Sequence, residues 1–118
     1  MAEKYQVTNR DGEFAETATP FVGPGATPPQ RLSGEVMVAV TGTATEVVYR
    51  VERASYLVDP AIASNYAPAD AEPFDLTSNP SDGAEQTFYR EPSIGWWRVR
   101  VLSIVGGTAT INLLGKDA

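Results

Sequence analysis

The chain has 118 residues, of which 42% are hydrophobic, and its 9 Lys and Arg against 15 Asp and Glu give a formal net charge of −6. This length is enough for one domain with one core. The absence of Cys excludes disulfides and thiolate metal sites, and the absence of His removes the usual acid–base side chain near neutral pH. The composition therefore favours a binding or structural role over catalysis, and we expect no enzyme activity.

The acidic balance also restricts the partners. Nucleic-acid backbones and anionic membrane surfaces attract clustered Lys and Arg, so we expect neither as a partner. The N-terminal sequence lacks the apolar run of a signal peptide, and no stretch approaches the ~18 apolar residues of a membrane span. We therefore expect a soluble protein that is made in the cytoplasm.

Residues 1–31 are predicted to contain two short strands followed by an extended segment. Weak alternation marks strands at Lys4–Thr8 and Glu13–Thr17, on either side of a turn at Asn9–Gly12. The segment Thr19–Arg31 holds four Pro and two Gly, which is too many for a central strand. It is interpreted as a Pro-rich extended arm or linker.

Residues 32–118 are predicted to form the main body, beginning with two strands of clear period-two alternation. Gly34–Gly42 and Thr45–Arg53 each place one apolar face towards a core. The residues predicted to face the core are Val36, Val38, Val40, Val47, Tyr49 and Val51. Gly42-Thr43-Ala44 between these strands has the length of a hairpin loop.

The C-terminal third follows the same pattern. In Gly95–Val105, one predicted face carries Trp97, Val99, Val101 and Val105, and the other carries Trp96, Arg98 and Arg100. Gly106-Gly107 predicts a hairpin into a last strand at Thr108–Leu114, and a weaker strand is expected at Glu85–Arg90. About seven short strands with such turns predict an all-β fold, an antiparallel β-sandwich of immunoglobulin-like or jelly-roll type.

A long loop, residues 55–83, interrupts the predicted body. It contains four Pro, and loops longer than ~12–15 residues in compact domains are usually functional or disordered. A short helical turn is expected at Pro60–Tyr66 with Asp59 as its N-cap. The loop's carboxylates lack the ligand spacing of a calcium loop, so no metal or other cofactor is predicted.

Trp96 is the main candidate for contact with a partner, because it shares a predicted strand face with Arg98 and Arg100. Trp and Arg are enriched at interface hot spots. The alternative is a solvated face on which the arginines pair across strands with Glu46 and Glu52. Together with the arm and the loop, the predicted partner-binding residues are Pro20, Phe21, Pro24, Pro28, Pro29, Tyr56, Tyr66, Trp96, Arg98 and Arg100.

Three segments resemble a known family. They are Gly34-Glu-Val-Met-Val-Ala-Val-Thr-Gly, Val48-Tyr-Arg-Val-Glu-Arg-Ala-Ser and Trp97-Arg-Val-Arg-Val-Leu-Ser-Ile-Val-Gly-Gly-Thr. Small β-sandwich structural proteins of tailed bacteriophages often have a similar opening strand, a strand ending in Glu-Arg-Ser and a late Arg-Val-rich hairpin. The resemblance covers residues 34–115 without most of the loop, and the long insertion Tyr56–Gly83 departs from the short turn common in that family.

The resemblance implies a virion component, with the capsid surface as its expected location. The most specific expectation is a head decoration or cement protein that binds the outer surface of the major capsid protein and neighbouring copies of itself. The arm and the long loop would then reach across capsid subunits, and deletion of residues 1–31 would abolish attachment while leaving the sandwich folded.

A second function fits the same sequence. Carbohydrate-binding or adhesin-like modules on tail fibres or cell surfaces present aromatic platforms on β-sandwiches. An exposed Trp96 with Tyr56, Tyr66 and Tyr89 would supply the rings on which a sugar stacks.

Overall fold

The computed structural model describes residues 14–117, and the fold is all-β. The eight strands are β1 Phe14–Phe21, β2 Gly25–Ala26, β3 Gln30–Gly42, β4 Glu46–Ser55, β5 Ala67–Pro68, β6 Leu76–Ser78, β7 Glu85–Val105 and β8 Ala109–Asp117. Two single 3₁₀ turns, Ala63–Asn65 and Pro80–Asp82, lie in the long segment between β4 and β7. Every strand pair is antiparallel.

The strands form one open sheet in the order β1-β8-β3-β7-β4-β5, with β2 beside β7 and β6 beside β4. This sheet folds over on itself into a sandwich. The first layer consists of β1, β8, the second part of β3 and the first part of β7. The second layer consists of the rest of β7, with β4, β5 and β6 on one side and β2 and the start of β3 on the other.

The two long central strands turn from one layer to the other at the same place, here called the corner. Leu32 of β3 pairs with Gly95 of β7, whereas Gly34 pairs with Glu91. One residue of β3 therefore stands opposite three residues of β7, and residues 92–94 form a bulge in β7. Gly34 has φ +76°, a left-handed conformation that glycine adopts without strain. Pro92 lies in the bulge, where a missing N–H interrupts no ladder.

Two aromatic residues of β7 show that this strand bends sharply at the corner. Tyr89 and Trp97 are eight residues apart, which would separate them by about 26 Å in a straight strand. Their ring centroids are 5.6 Å apart. The strand therefore bends sharply between them and places one ring in each layer, facing the other across the core.

The core lies between the layers and confirms the predicted inward faces of β3 and β4. Its largest fully buried side chains are Trp97, Tyr49, Leu32, Ile111, Leu113, Val36, Val38, Val40, Val47, Val51, Val99 and Val101. The prediction for Val105 is wrong, because its side chain is 53% exposed. A register shift opposite Val48 and Tyr49 leaves Leu102 as an extra residue in β7, so Ile104 takes the inward position instead.

Both predicted hairpins are wrong. β3 and β4 are separated by β7 in the sheet, and β7 and β8 are separated by β3. The connections at residues 43–45 and 106–108 are instead arches that join the two layers. They pack on each other, because the N–H groups of Thr43 and Ala44 both donate to the carbonyl oxygen of Thr108, each at 3.0 Å.

The segment Thr19–Arg31 is part of the sandwich and not a free arm. Its first residues end β1, its middle forms β2, and its last residues begin β3. Thr27 is buried, donating its N–H to the Val99 carbonyl at 2.9 Å and accepting the Val99 N–H on Oγ1 at 3.0 Å. Deleting residues 1–31 would remove β1, β2 and the first two residues of β3, so we no longer expect such a truncation to leave the sandwich folded.

The other predictions for the N-terminal region divide between described and undescribed residues. Of the strand predicted at Glu13–Thr17, residues 14–17 lie in β1, which extends to Phe21, and Glu13 lies outside the described residues. The strand predicted at Lys4–Thr8 and the turn predicted at Asn9–Gly12 lie outside the described residues.

The long segment 55–83 follows the outer edge of β4 and covers it. β5 pairs with Glu52 and Arg53, and β6 pairs with residues 47–49. The N–H of Ala69 also donates to the Val51 carbonyl at 2.8 Å. A covered strand edge offers no free backbone groups to another chain.

The predicted helical turn in this segment exists but begins later than expected. It spans Ala63–Asn65, with no side-chain cap. Asp59 instead accepts the N–H of Ala61 on Oδ1 at 2.9 Å, which forms a separate turn before the helix.

Candidate interaction surfaces

The outer side of the second layer carries a cluster of charged side chains, here called the arginine face: Arg50, Glu52, Arg98 and Arg100. Glu52 is only 5% exposed and stands opposite Arg98 in the strand register. Its Oε1 accepts from Arg98 Nε at 2.8 Å, and its Oε2 lies 3.4 Å from Arg100 Nε. One buried carboxylate thus holds two guanidinium groups, which confirms a ladder of charges paired across the strands.

The long segment covers part of this face with aromatic and acidic side chains. The ring of Tyr66 lies 4.1 Å from the Arg98 guanidinium carbon, and the Tyr66 hydroxyl donates to the Pro60 carbonyl at 2.9 Å. Burial raises the pKa of Tyr66, and the nearby Arg98 partly opposes this shift. Two of the predicted partner-binding residues, Tyr66 and Arg98, therefore contact each other inside the protein.

Arg50 is held in a similar way at the edge of the arginine face. Its Nε donates to Asp75 Oδ1 at 2.7 Å, and its guanidinium carbon lies 5.5 Å from the centre of the Phe74 ring. The hydrogen bond to Asp75 raises the pKa of Arg50. These contacts hold the long segment against the sheet.

The remaining residues predicted on this face are more accessible. The side chain of Arg100 is 39% exposed beyond its contact with Glu52. Trp96 is half-buried, and its indole Nε1 is buried without a hydrogen-bond partner among the described residues. Arg100 on the arginine face and Trp96 beside this face are thus the two predicted residues here that a partner could reach.

The predicted contacts of the arm divide between surface and core. Pro20, Pro24 and Pro28 are exposed and Pro29 is half-buried, so these rings lie along the surface of the sandwich. Phe21 is buried in the core cluster and is not available to a partner. Its position follows from β1, whose last residue it is.

One end of the sandwich presents an exposed apolar group, here called the apolar tip: Tyr56, Leu57 and Ile94. Ser55, the last residue of β4, pairs with Gly95 of β7. Tyr56, which follows Ser55, and Ile94, which precedes Gly95, therefore lie at the same end of the second layer. The three side chains are 51%, 79% and 43% exposed, respectively. Of these three residues, the sequence analysis predicted only Tyr56 to bind a partner.

A pocket of about 200 Å³ lies beside the apolar tip. It is lined by Arg53, Ala54, Ser55, Glu91, Ser93, Ile94, Gly95 and Trp97. Arg53 forms an ion pair with Glu91, and its guanidinium carbon lies 6.0 Å from the centre of the Trp97 ring. The buried Trp97 Nε1 has no hydrogen-bond partner among the described residues.

The outer side of the first layer carries a second apolar group that the sequence prediction missed. Met37 on β3 is in register with Phe88 on β7 and with Leu114 on β8, so the three side chains cross the layer side by side. Phe88 is 67% exposed. Its alternation with the inward Tyr89 was the available signal, but Glu85–Arg90 was only a weak strand prediction.

The aromatic residues considered for sugar stacking do not form one platform. Tyr56 lies at the apolar tip and Tyr66 on Arg98. Tyr89 is partly buried against the core, where its hydroxyl donates to Asp70 Oδ2 at 2.8 Å. Burial, followed by this hydrogen bond, raises the pKa of Tyr89.

The described residues form neither a metal-ligand cluster nor a membrane-spanning helix. Within residues 14–117, no three acidic, His or Cys side chains come together as metal ligands. Among the same residues, no helix is long and apolar enough to cross a membrane.

Comparison with known proteins adds no relative to these observations. Neither a protein-family model nor a curated protein matches the chain. The surfaces described above are therefore the physical basis for a functional proposal.

Proposed function

We propose that this chain is a non-enzymatic structural protein of a tailed-phage particle, located on the capsid surface as a decoration or cement protein. Its partner is the outer surface of the major capsid protein, next to further copies of itself. The sequence resemblance over residues 34–115 supports the class of protein. The observation that carries a binding role is the apolar tip with its adjoining pocket.

The apolar tip has the properties of a protein contact. Contiguous apolar side chains exposed together on a folded domain commonly mark interaction sites. Beside them, Arg53 and Trp97 are among the residues that line the pocket. A partner that covers the tip and inserts a side chain into the pocket would bury Leu57 and Ile94 next to a Trp and an Arg, which are residue types enriched at interface hot spots.

The rest of the molecule acts as a rigid body that carries this tip. Because β3 and β7 belong to both layers, the layers cannot slide apart without breaking strand pairing. The net charge of −6 keeps the free protein soluble before assembly. On a shell, many identical sites then combine modest single contacts into a stable coat.

The proposal is tested with phage particles purified from cultures in which a tagged copy of the chain is expressed. We expect the wild-type chain to be present in many copies per particle. Leu57→Asp should reduce its copy number at least severalfold, because a carboxylate at the apolar tip would be desolvated on binding. Val22→Asp is the matched control, since Val22 is 84% exposed at the opposite end of the sandwich.

The possible results of this experiment distinguish the phage role from the role of the apolar tip. Absence of the wild-type chain from the particles would refute the phage role. Equal incorporation of Leu57→Asp and Val22→Asp would refute the role of the apolar tip while leaving the location intact. Circular dichroism of both variants establishes that each is folded before incorporation is compared.

A further inference from the structure

An apolar stripe crosses the outer side of the first layer, on a different face from the apolar tip, and consists of the exposed Phe88 with the half-buried Met37 and Leu114. A phenylalanine ring that is two-thirds exposed on the outer side of a sheet is unusual for a surface that meets only water. Its two neighbours extend the apolar surface over three adjacent strands. This stripe therefore has the composition of a contact face.

A hollow lies directly beside the projecting ring. It measures about 150 Å³ and is lined by Glu35, Val36, Met37, Phe88, Leu114 and Gly115. An apolar cavity of roughly this volume accommodates a benzene ring. The face thus carries a projecting ring and a recess of matching size next to each other.

The charges around the stripe are balanced. Arg90 and Glu35 form an ion pair at 2.9 Å, with side chains 80% and 73% exposed. Both signs of charge are therefore present on a patch of a protein whose overall charge is −6. A two-fold axis in the plane of the contact, parallel to β3 and β7 and between them, would bring Arg90 of one copy towards Glu35 of the other, and the same in reverse.

We propose that the outer face of the first layer is an isologous interface with a second copy of this chain. The ring of Phe88 from each copy fills the hollow of the other, and the two pairs of Glu35 and Arg90 flank the contact. A self-complementary face needs a projection, a recess and both charges on one surface, and this face has all three. The inference does not depend on the phage role.

The test is sedimentation equilibrium of the purified full-length chain from micromolar to submillimolar concentration. We expect a reversible species of twice the 12.7 kDa chain mass. Phe88→Asp should weaken the dimer by about thirtyfold or more, as for a central aromatic anchor. Val105→Asp should leave it unchanged, because Val105 is an exposed apolar residue on the same strand but at its far end.

A charge exchange tests the two-fold geometry independently of Phe88. Glu35→Arg and Arg90→Glu should each weaken the dimer, and the double exchange should restore it, because it rebuilds every pair across the axis. A chain that stays monomeric at all concentrations would overturn the proposal. A dimer that Phe88→Asp and both single exchanges leave intact would overturn it as well, by placing the contact elsewhere.

Discussion

At the scale of single residues, Glu52 organises the arginine face. Its carboxylate is almost fully buried, and burial of a carboxylate is costly unless opposite charges and hydrogen bonds compensate it. Arg98 and Arg100 supply that compensation, and Tyr66 covers Arg98 in turn. The face on which contacts were predicted is therefore first a structural network, with Trp96 and Arg100 as its accessible parts.

The substitution Glu52→Gln tests this network. It leaves two guanidinium groups without their common counter-charge, and we expect the free energy of unfolding to fall by about 2 kcal/mol. This is less than the ~3–5 kcal/mol of a fully buried broken pair, because Arg100 still reaches solvent. Urea denaturation at neutral pH measures the change.

Glu35→Gln is the matched control, since Glu35 is also paired with an arginine on a strand but at an exposed site. We expect no measurable shift of its urea midpoint at a chain concentration low enough for the chain to be monomeric. Equal effects of the two substitutions would show that burial of Glu52 contributes nothing to stability.

Sequence reasoning reached part of this network. Alternation placed Arg98, Arg100 and Glu52 on one face, since residues two apart in a strand share a side. It could not assign Tyr66 or Asp75 to the same face, because those residues come from an irregular segment whose path depends on the edge it covers. The positions of Phe21 and Phe88 were missed for a related reason, since burial depends on which strands are neighbours.

At the scale of elements, the two arches explain why β3 ends in a glycine. Gly42 has φ +133°, and a Cβ on it would lie 2.8 Å from the Ala109 Cα and closer still to the Thr108 carbonyl oxygen. Both obstacles are backbone atoms of the other arch, so neither can rotate away. A short glycine-containing connection resembles a hairpin loop in sequence, which is why the hairpin prediction was wrong although the strands themselves were found.

Gly42→Ala should therefore destabilise the fold by about 2–3 kcal/mol, through overpacking and backbone strain together. Gly23→Ala serves as the control, because a Cβ there meets no atom within 4 Å. Its effect should stay within about 0.5 kcal/mol. Thermal and urea unfolding of both variants provide the comparison, and a Gly42→Ala variant as stable as Gly23→Ala would show that the arches separate readily.

Strand content could be predicted from the sequence, whereas strand neighbours could not. The runs at Gly34–Gly42 and Gly95–Val105 lie in strands, as does Thr45–Arg53 apart from its first residue, because period-two alternation is a local property. The bends that make β3 and β7 common to both layers depend on packing between distant residues. Thr19–Arg31 was misjudged because its Pro and Gly occur at the ends of short strands and in the turns between them, where both are tolerated.

At the scale of the whole molecule, the described chain begins and ends on neighbouring strands. β1 pairs with β8 along its full length, and Phe14 stands opposite Lys116. β1 is therefore held in the first layer by β8, whereas its covalent link to β2 crosses between the layers through Val22 and Gly23. The sheet order, more than the order of the elements along the chain, holds β1 in place.

A circular permutant tests this account. Ala118 is joined directly to Met1, so that residues 1–13 become the connection between β8 and β1, and the chain is opened between Val22 and Gly23. We expect a single cooperative unfolding transition, because the opened link is exposed and the new connection joins strands that already pair.

The control is a second permutant with the same new connection, in which the chain is opened between Thr43 and Ala44. The N–H groups of these two residues both donate to the Thr108 carbonyl. That control should lose more stability, since it disrupts the contact between the arches. If the permutant opened at Val22 fails to fold or is no more stable than the control, the covalent link between β1 and β2 is essential and strand pairing alone does not hold β1 in the sandwich.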